Sequence, residues 1–137
     1  MVESASARRA ALKARIEHVA IWTRDLEVMR AFYTESLGGT SGRLYENRVT
    51  GFTSYFMSFG DGPRLELMHQ PGRAPSSTAA GSGHIALALG SRAAVDEAIA
   101  TLRQRGVSVE SDPRVTGDGY YEAVVLDPER NRIELTA

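Results

Sequence analysis

Two histidine–glutamate pairs are the residues in this sequence best suited to do chemistry. His18-Val19-Ala20-Ile21 has a near-copy in Gly83-His84-Ile85-Ala86-Leu87, and Arg64-Leu65-Glu66-Leu67 is echoed by Arg132-Ile133-Glu134-Leu135. Glu66 follows His18 by 48 residues and Glu134 follows His84 by 50, so one module is used twice, each copy giving one His and one Glu. Two imidazoles and two carboxylates are a mixed N/O donor set. Such a set suits Zn, Ni, Co, Mn or Fe(II) rather than copper(I) or a thiolate centre. Taken singly, each residue has a plainer reading: a strand histidine is usually satisfied or half-exposed, and a glutamate beside an arginine is usually solvated. A relic of duplication would explain their recurrence. It would not offset the cost of lining a cavity with two carboxylates, which falls only when they are paired or metal-bound.

Other site chemistries find little support. The chain has no cysteine, which removes disulfides, thiolate ligands and thiol nucleophiles together. It contains no HExxH helix, Walker-type loop or GxGxxG turn, and no nucleophile elbow for a serine hydrolase. Gly117-Asp118-Gly119 has no helix after it and reads as a loop near the cavity mouth. His69 is out of phase with Glu66 and is expected to be exposed.

The elements that must position the four residues follow from the hydrophobic pattern. A strand over 15–22 puts Val19 and Ile21 on one face and His18, Ala20 and Trp22 on the other. Asp25 can cap a helix carrying Leu26, Met29, Phe32, Tyr33 and Leu37, ended by Gly38-Gly39. A short strand or loop over 43–47, a strand over 52–59, an Asp61-Gly62 hairpin turn and a strand over 63–68 complete the first module. Two Pro, three Gly and three Ser among the thirteen residues 71–83 mark a linker. The order then repeats: a strand over 84–89, a helix capped by Ser91 with Val95, Ile99 and Leu102, and strands over 107–109, 120–126 and 132–136. Throughout, the aliphatics take the face that would pack on a helix, and His18, Glu66, His84 and Glu134 take the other. Curved sheets would make that second face the lining of a cavity.

The 137 residues fit one domain. We divide them into an N-terminal arm (1–14), module one (15–70), the linker (71–83) and module two (84–137). With 16 basic against 17 acidic residues, no long-range field favours nucleic acid or an anionic membrane. No apolar run approaches the roughly 18 residues that span a bilayer. Ser4 to Arg15 lacks the apolar middle of a secretory signal, and the expected location is cytoplasmic.

Taken together, His18-Val19-Ala20-Ile21, Ala31-Phe32-Tyr33 through Leu37-Gly38, Leu65-Glu66-Leu67, Gly83-His84-Ile85-Ala86 and Asp127-Pro128 leading to Ile133-Glu134-Leu135 resemble the vicinal oxygen chelate superfamily. Glyoxalase I, extradiol dioxygenases, methylmalonyl-CoA epimerase and fosfomycin- and bleomycin-resistance proteins belong to it. The resemblance covers about residues 15–136. It implies an α+β fold of two tandem βαβββ modules, whose curved mixed sheets enclose a metal-binding cavity. His18, Glu66, His84 and Glu134 match the metal-binding positions, and the quartet is similar to that of bacterial glyoxalase I. By that likeness one divalent ion, Zn2+ or Ni2+ first and Co2+, Mn2+ or Fe2+ as alternatives, would chelate two adjacent substrate oxygens and favour an enediolate. Glu66 and Glu134 would be candidate bases as well as ligands.

Three departures argue against a glutathione adduct as substrate. Trp22, Gln70 and Thr116 stand where glyoxalase I carries arginine, asparagine and lysine. Four protein ligands leave about two positions of an octahedron, too few for a catechol and dioxygen together, which disfavours the extradiol reading. The pocket is expected to include Trp22, Met68, Tyr120 and Tyr121, with only one of the two consecutive tyrosines facing in; Phe56 is assigned to the core. The expected function is a glyoxalase I-like isomerase or lyase acting on a small substrate with adjacent oxygens, as a homodimer. The alternatives are a metal-containing protein that binds a small molecule or sequesters an antibiotic without turnover and, disfavoured by the fourth ligand, an extradiol-type dioxygenase.

Overall fold

The computed structural model describes residues 12–13, 15–73 and 83–137. Most of the N-terminal arm, and residues 74–82 of the linker, lie outside them. The chain folds as α+β with two curved mixed sheets. In the first half, β1 (His18–Trp22) runs parallel to β5 (Arg64–His69), which pairs antiparallel with β4 (Thr53–Ser58). Two short strands, β2 (Thr40–Ser41) and β3 (Tyr45–Glu46), pair with the far side of β4. The second half repeats the scheme in the order β6 (His84–Ala88), β9 (Arg132–Thr136), β8 (Tyr121–Leu126) and β7 (Val109–Val115).

Each half carries one helix on the aliphatic face of its sheet. Asp25 caps α1 (Leu26–Ala31), its carboxylate accepting from the Val28 N–H, and Ser91 caps α2 (Arg92–Gln104) by accepting from Ala94. Past Ala31 the first helix widens into a π-helical turn over Phe32–Ser36, where α-helical spacing had been expected to continue. The Thr34 hydroxyl donates to the carbonyls of Arg30 and Ala31 within this turn. Val107–Val109, expected as a short strand, belongs to a loop and to the start of the longer β7.

One apolar core joins the two halves. Met29, Tyr33, Met57 and Leu67 of the first half, and Val95, Val125, Ile133 and Leu135 of the second, are essentially fully buried. Among the described residues, three polar contacts bridge the halves. Tyr33 Oη donates to Asp127 Oδ2, the backbone N–H groups of Arg24 and Asp25 donate to the Glu129 carboxylate, and Arg105 Nη1 donates to the Glu35 carbonyl. In each, the first-half partner belongs to the N-terminal end of α1 or to the π-helical turn that follows it. Among the described residues no helix is long and apolar enough to cross a membrane.

Candidate metal centre

Strand register brings each histidine to its glutamate. In the parallel pair β1–β5, His18 lies opposite Arg64 and Ala20 opposite Glu66, so His18 and Glu66 are diagonal neighbours on one face. The pair β6–β9 repeats this with His84 opposite Arg132 and Ala86 opposite Glu134. His18 Nε2 lies 3.7 Å from Glu66 Oε1, and His84 Nε2 lies 3.1 Å from Glu134 Oε2. The alanine facing each glutamate has no side chain beyond Cβ, which keeps the space above the carboxylate open.

The two pairs remain apart in one chain. Among the described residues no three His, Asp or Glu side chains converge closely enough to hold an ion. The imidazoles of His18 and His84 are 41 % and 50 % exposed. Other features of these faces suit a cation. Burial, followed by the proximity of Glu122 and Asp118, raises the carboxyl pKa of Glu134 above the ordinary range, with His84 opposing the shift. A divalent ion would offset that cost. Strand alternation puts Ser54 on the Glu66 face and Thr136 on the Glu134 face, and the hydroxyls of both are buried without a hydrogen-bond partner.

His18 is oriented from behind. Its Nδ1 lies 3.4 Å from Glu17 Oε1, and Arg64, bonded to the same carboxylate, holds Glu17 below its usual pKa. That leaves Nε2 toward Glu66, the arrangement in which an outer carboxylate fixes the ring of a ligating histidine. Phe56 meets the His18 ring edge-on at 5.2 Å, with the Arg64 guanidinium 4.2 Å from its own ring centroid. Its assignment to the core is therefore replaced: it lies opposite Glu66 on the site face.

The expected pocket residues divide. Trp22 and Met68 are cross-strand neighbours on the His18–Glu66 face. Tyr120 precedes β8 and is 54 % exposed. Tyr121 lies on the opposite side, correcting its place in the pocket. Its hydroxyl bonds to Asp96 of α2, and the Arg92 guanidinium lies 5.0 Å from its ring centroid. Strand alternation is the reason, because Tyr121 is in phase with the core residues Ala123 and Val125. His69, expected to be exposed, is half-buried and lies with Nδ1 3.2 Å from the Thr23 carbonyl oxygen. A carbonyl can only accept, so Nδ1 carries the proton.

Equivalent His–Glu pairs on two like modules are the arrangement expected of one protein family, and a family model decides the matter. The model of the glyoxalase/bleomycin resistance protein/dioxygenase superfamily matches residues 15–135. The chain belongs to this superfamily. Among its relatives, a probable lactoylglutathione lyase of Vibrio parahaemolyticus is 32 % identical over 124 residues, covering 88 % of each chain. A trypanothione-dependent glyoxalase I of Leishmania major superposes with a TM-score of 0.75 at 29 % identity, over 89 % of this chain and 85 % of that one. A glyoxalase family protein of Enterococcus faecalis shares the fold at 23 % identity, with a TM-score of 0.74 over 90 % and 97 % of the two chains. Membership in this glyoxalase superfamily supports lyase or isomerase chemistry on a small molecule.

Proposed function

We propose that this protein is a metal-dependent isomerase or lyase of the glyoxalase I type, working as a homodimer on a small substrate with adjacent oxygens. The observation that carries the reading is the register-equivalent placement of His18–Glu66 and His84–Glu134, each beside an alanine on an open sheet face. In this reading His18 and Glu66 of one protomer meet His84 and Glu134 of the partner subunit, giving the four donors that neither half has alone. A second copy would also cover the two exposed faces.

When bound, a divalent ion, Zn2+ or Ni2+ by preference, supplies Lewis-acid polarisation of two adjacent substrate oxygens. His18 and His84 fix the site through their Nε2 atoms. Glu66 Oε1 or Glu134 Oε2 takes the proton from the substrate carbon and returns it to the neighbouring one. Trp22 and Thr116 carry no charge where glyoxalase I has arginine and lysine, and Gln70 replaces its asparagine with an amide one methylene longer; these departures support a substrate other than a glutathione adduct. We also propose a cytoplasmic location, with which the absence of cysteine is compatible.

The test is hydrogen exchange. Zinc- or nickel-loaded protein, incubated in deuterated water with a panel of 2-oxo and 2-hydroxy compounds and their thiol adducts, is expected to exchange the α-hydrogen of at least one. Tight binding with no exchange across the panel would instead establish sequestration without turnover.

A further inference from the structure

The face that carries His18 and Glu66 continues, at its far end, into an aromatic shelf. Trp22 is four residues beyond His18 on β1 and in phase with it, about 13 Å along the strand. Phe52 meets the Trp22 ring edge-on at 6.0 Å, and Tyr45 of β3 lies 6.1 Å from Phe52. A cation sits on this shelf. The Arg73 guanidinium lies 4.2 Å from the Trp22 ring centroid, in stacking range.

A built turn delivers Arg73 there. The Thr23 N–H and hydroxyl both bond to the Met68 carbonyl, tying the end of β1 to β5. The chain then reverses through Gly72, whose φ is +78°, and the Arg73 N–H donates to the Gln70 carbonyl. Pro71 packs over Gly51 so closely that a Cβ there would meet its ring at 3.3 Å. The guanidinium makes no salt bridge among the described residues. A planar cation stacked on an indole keeps its edge N–H donors free, and their spacing matches a carboxylate.

We propose that Arg73 and Trp22 form the specificity subsite of the cleft, Arg73 binding a carboxylate at the far end of the substrate while Trp22, Phe52 and Tyr45 pack its apolar spacer. The substrate class is thus an elongated organic anion, with its reacting oxygens at one end and a carboxylate at the other. This rests on the proposed function in that the His18–Glu66 end takes the reacting oxygens.

Trp22 is the chain's single tryptophan, so its emission reports on the subsite directly, without turnover. The probes are the monohydroxamate of octanedioic acid and its methyl ester. Both offer two adjacent oxygens at one end, but only the first carries a carboxylate at the other. With the zinc-loaded protein, the acid is expected to change Trp22 emission saturably and to bind at least tenfold more tightly than the ester. Arg73→Gln should remove that difference, and Arg73→Lys should restore part of it. Arg73 is exposed on a turn, and circular dichroism will show the variants folded.

Equal affinity for acid and ester, a preference that survives Arg73→Gln, or no emission change with either probe would each overturn the subsite. Repeating the titration without zinc separates the two readings. Affinity that ignores zinc counts against the metal centre, while the acid-to-ester ratio still judges Arg73.

Discussion

Ala86 stands directly opposite Glu134 across the parallel β6–β9 pair, as Ala20 does opposite Glu66 across β1–β5. The smallest chiral side chain thus faces each carboxylate, and the volume over both glutamates stays open. Ala86→Leu should fill that volume without removing a ligand. Its expected effect is at least a tenfold loss of zinc affinity in calorimetric titration, with little loss of stability because the face is exposed. Unchanged zinc binding would remove Ala86 from the site.

A shared site makes a specific prediction about mixed dimers. One chain carries His18→Ala with Glu66→Gln, the other His84→Ala with Glu134→Gln. Neither alone should bind zinc tightly. Co-refolded, they should recover about one ion per heterodimer, because the intact pair of one chain meets the intact pair of the other. Mixtures that recover no metal would show that the two pairs are not brought together between chains.

Tyr33 and Asp127 fasten the halves of the chain, and their bond predicts an alkaline weakness. The phenol donates to Asp127 Oδ2 at 2.8 Å, while Asp127 also accepts from the Glu129 and Asn131 backbones and the Asn131 amide. Burial first, then the Asp127 charge, holds the phenol far above its ordinary pKa of 10. The folded protein therefore keeps a proton that the unfolded chain releases above pH 10. The associated stability is intact below pH 10 and is lost as the pH rises above it, by about 1.4 kcal/mol per pH unit. Tyr33→Phe should cost about 1–2 kcal/mol at pH 7. Urea denaturation at pH 9 and 11 should then show a smaller fall for the variant than for the wild type; equal falls would refute the assignment.

Tyr121 faces α2, so Tyr121→Phe should leave substrate affinity and turnover unchanged while lowering the melting temperature slightly through loss of its solvent-exposed bond to Asp96. A rise in KM without a change in the melting curve would return Tyr121 to the pocket.

Much of this protein could be read from strand phase and end signals. Val19 and Ile21, Leu65 and Leu67, Ile85 and Leu87, and Ile133 and Leu135 alternate with the four candidate ligands, and the structure keeps that alternation. Asp25 and Ser91 cap the helices as their types suggest, and Gly38 and Gly106, with φ of +73° and +81°, stop them. Such features are local, set by the two-residue period of a strand and the unpaired N–H groups of a helix. The phase of Ala123 and Val125 also held the signal that puts Tyr121 on the core side, against its expected place in the pocket.

The sequence by itself determined the two modules and the pairing of one His with one Glu in each, the candidate donors. Tertiary structure alone decided the rest. The two pairs stay apart within one chain because the core and the bridges Tyr33–Asp127 and Arg24/Asp25–Glu129 join the halves through the start of α1 and the π-helical turn after it. Trp22 bears a cation because a turn braced by Gly51 and Gly72 carries Arg73 back over it from the loop after β5. Pattern along a chain fixes which face a side chain takes; which faces meet depends on contacts between distant segments, and these exist only once the core has closed.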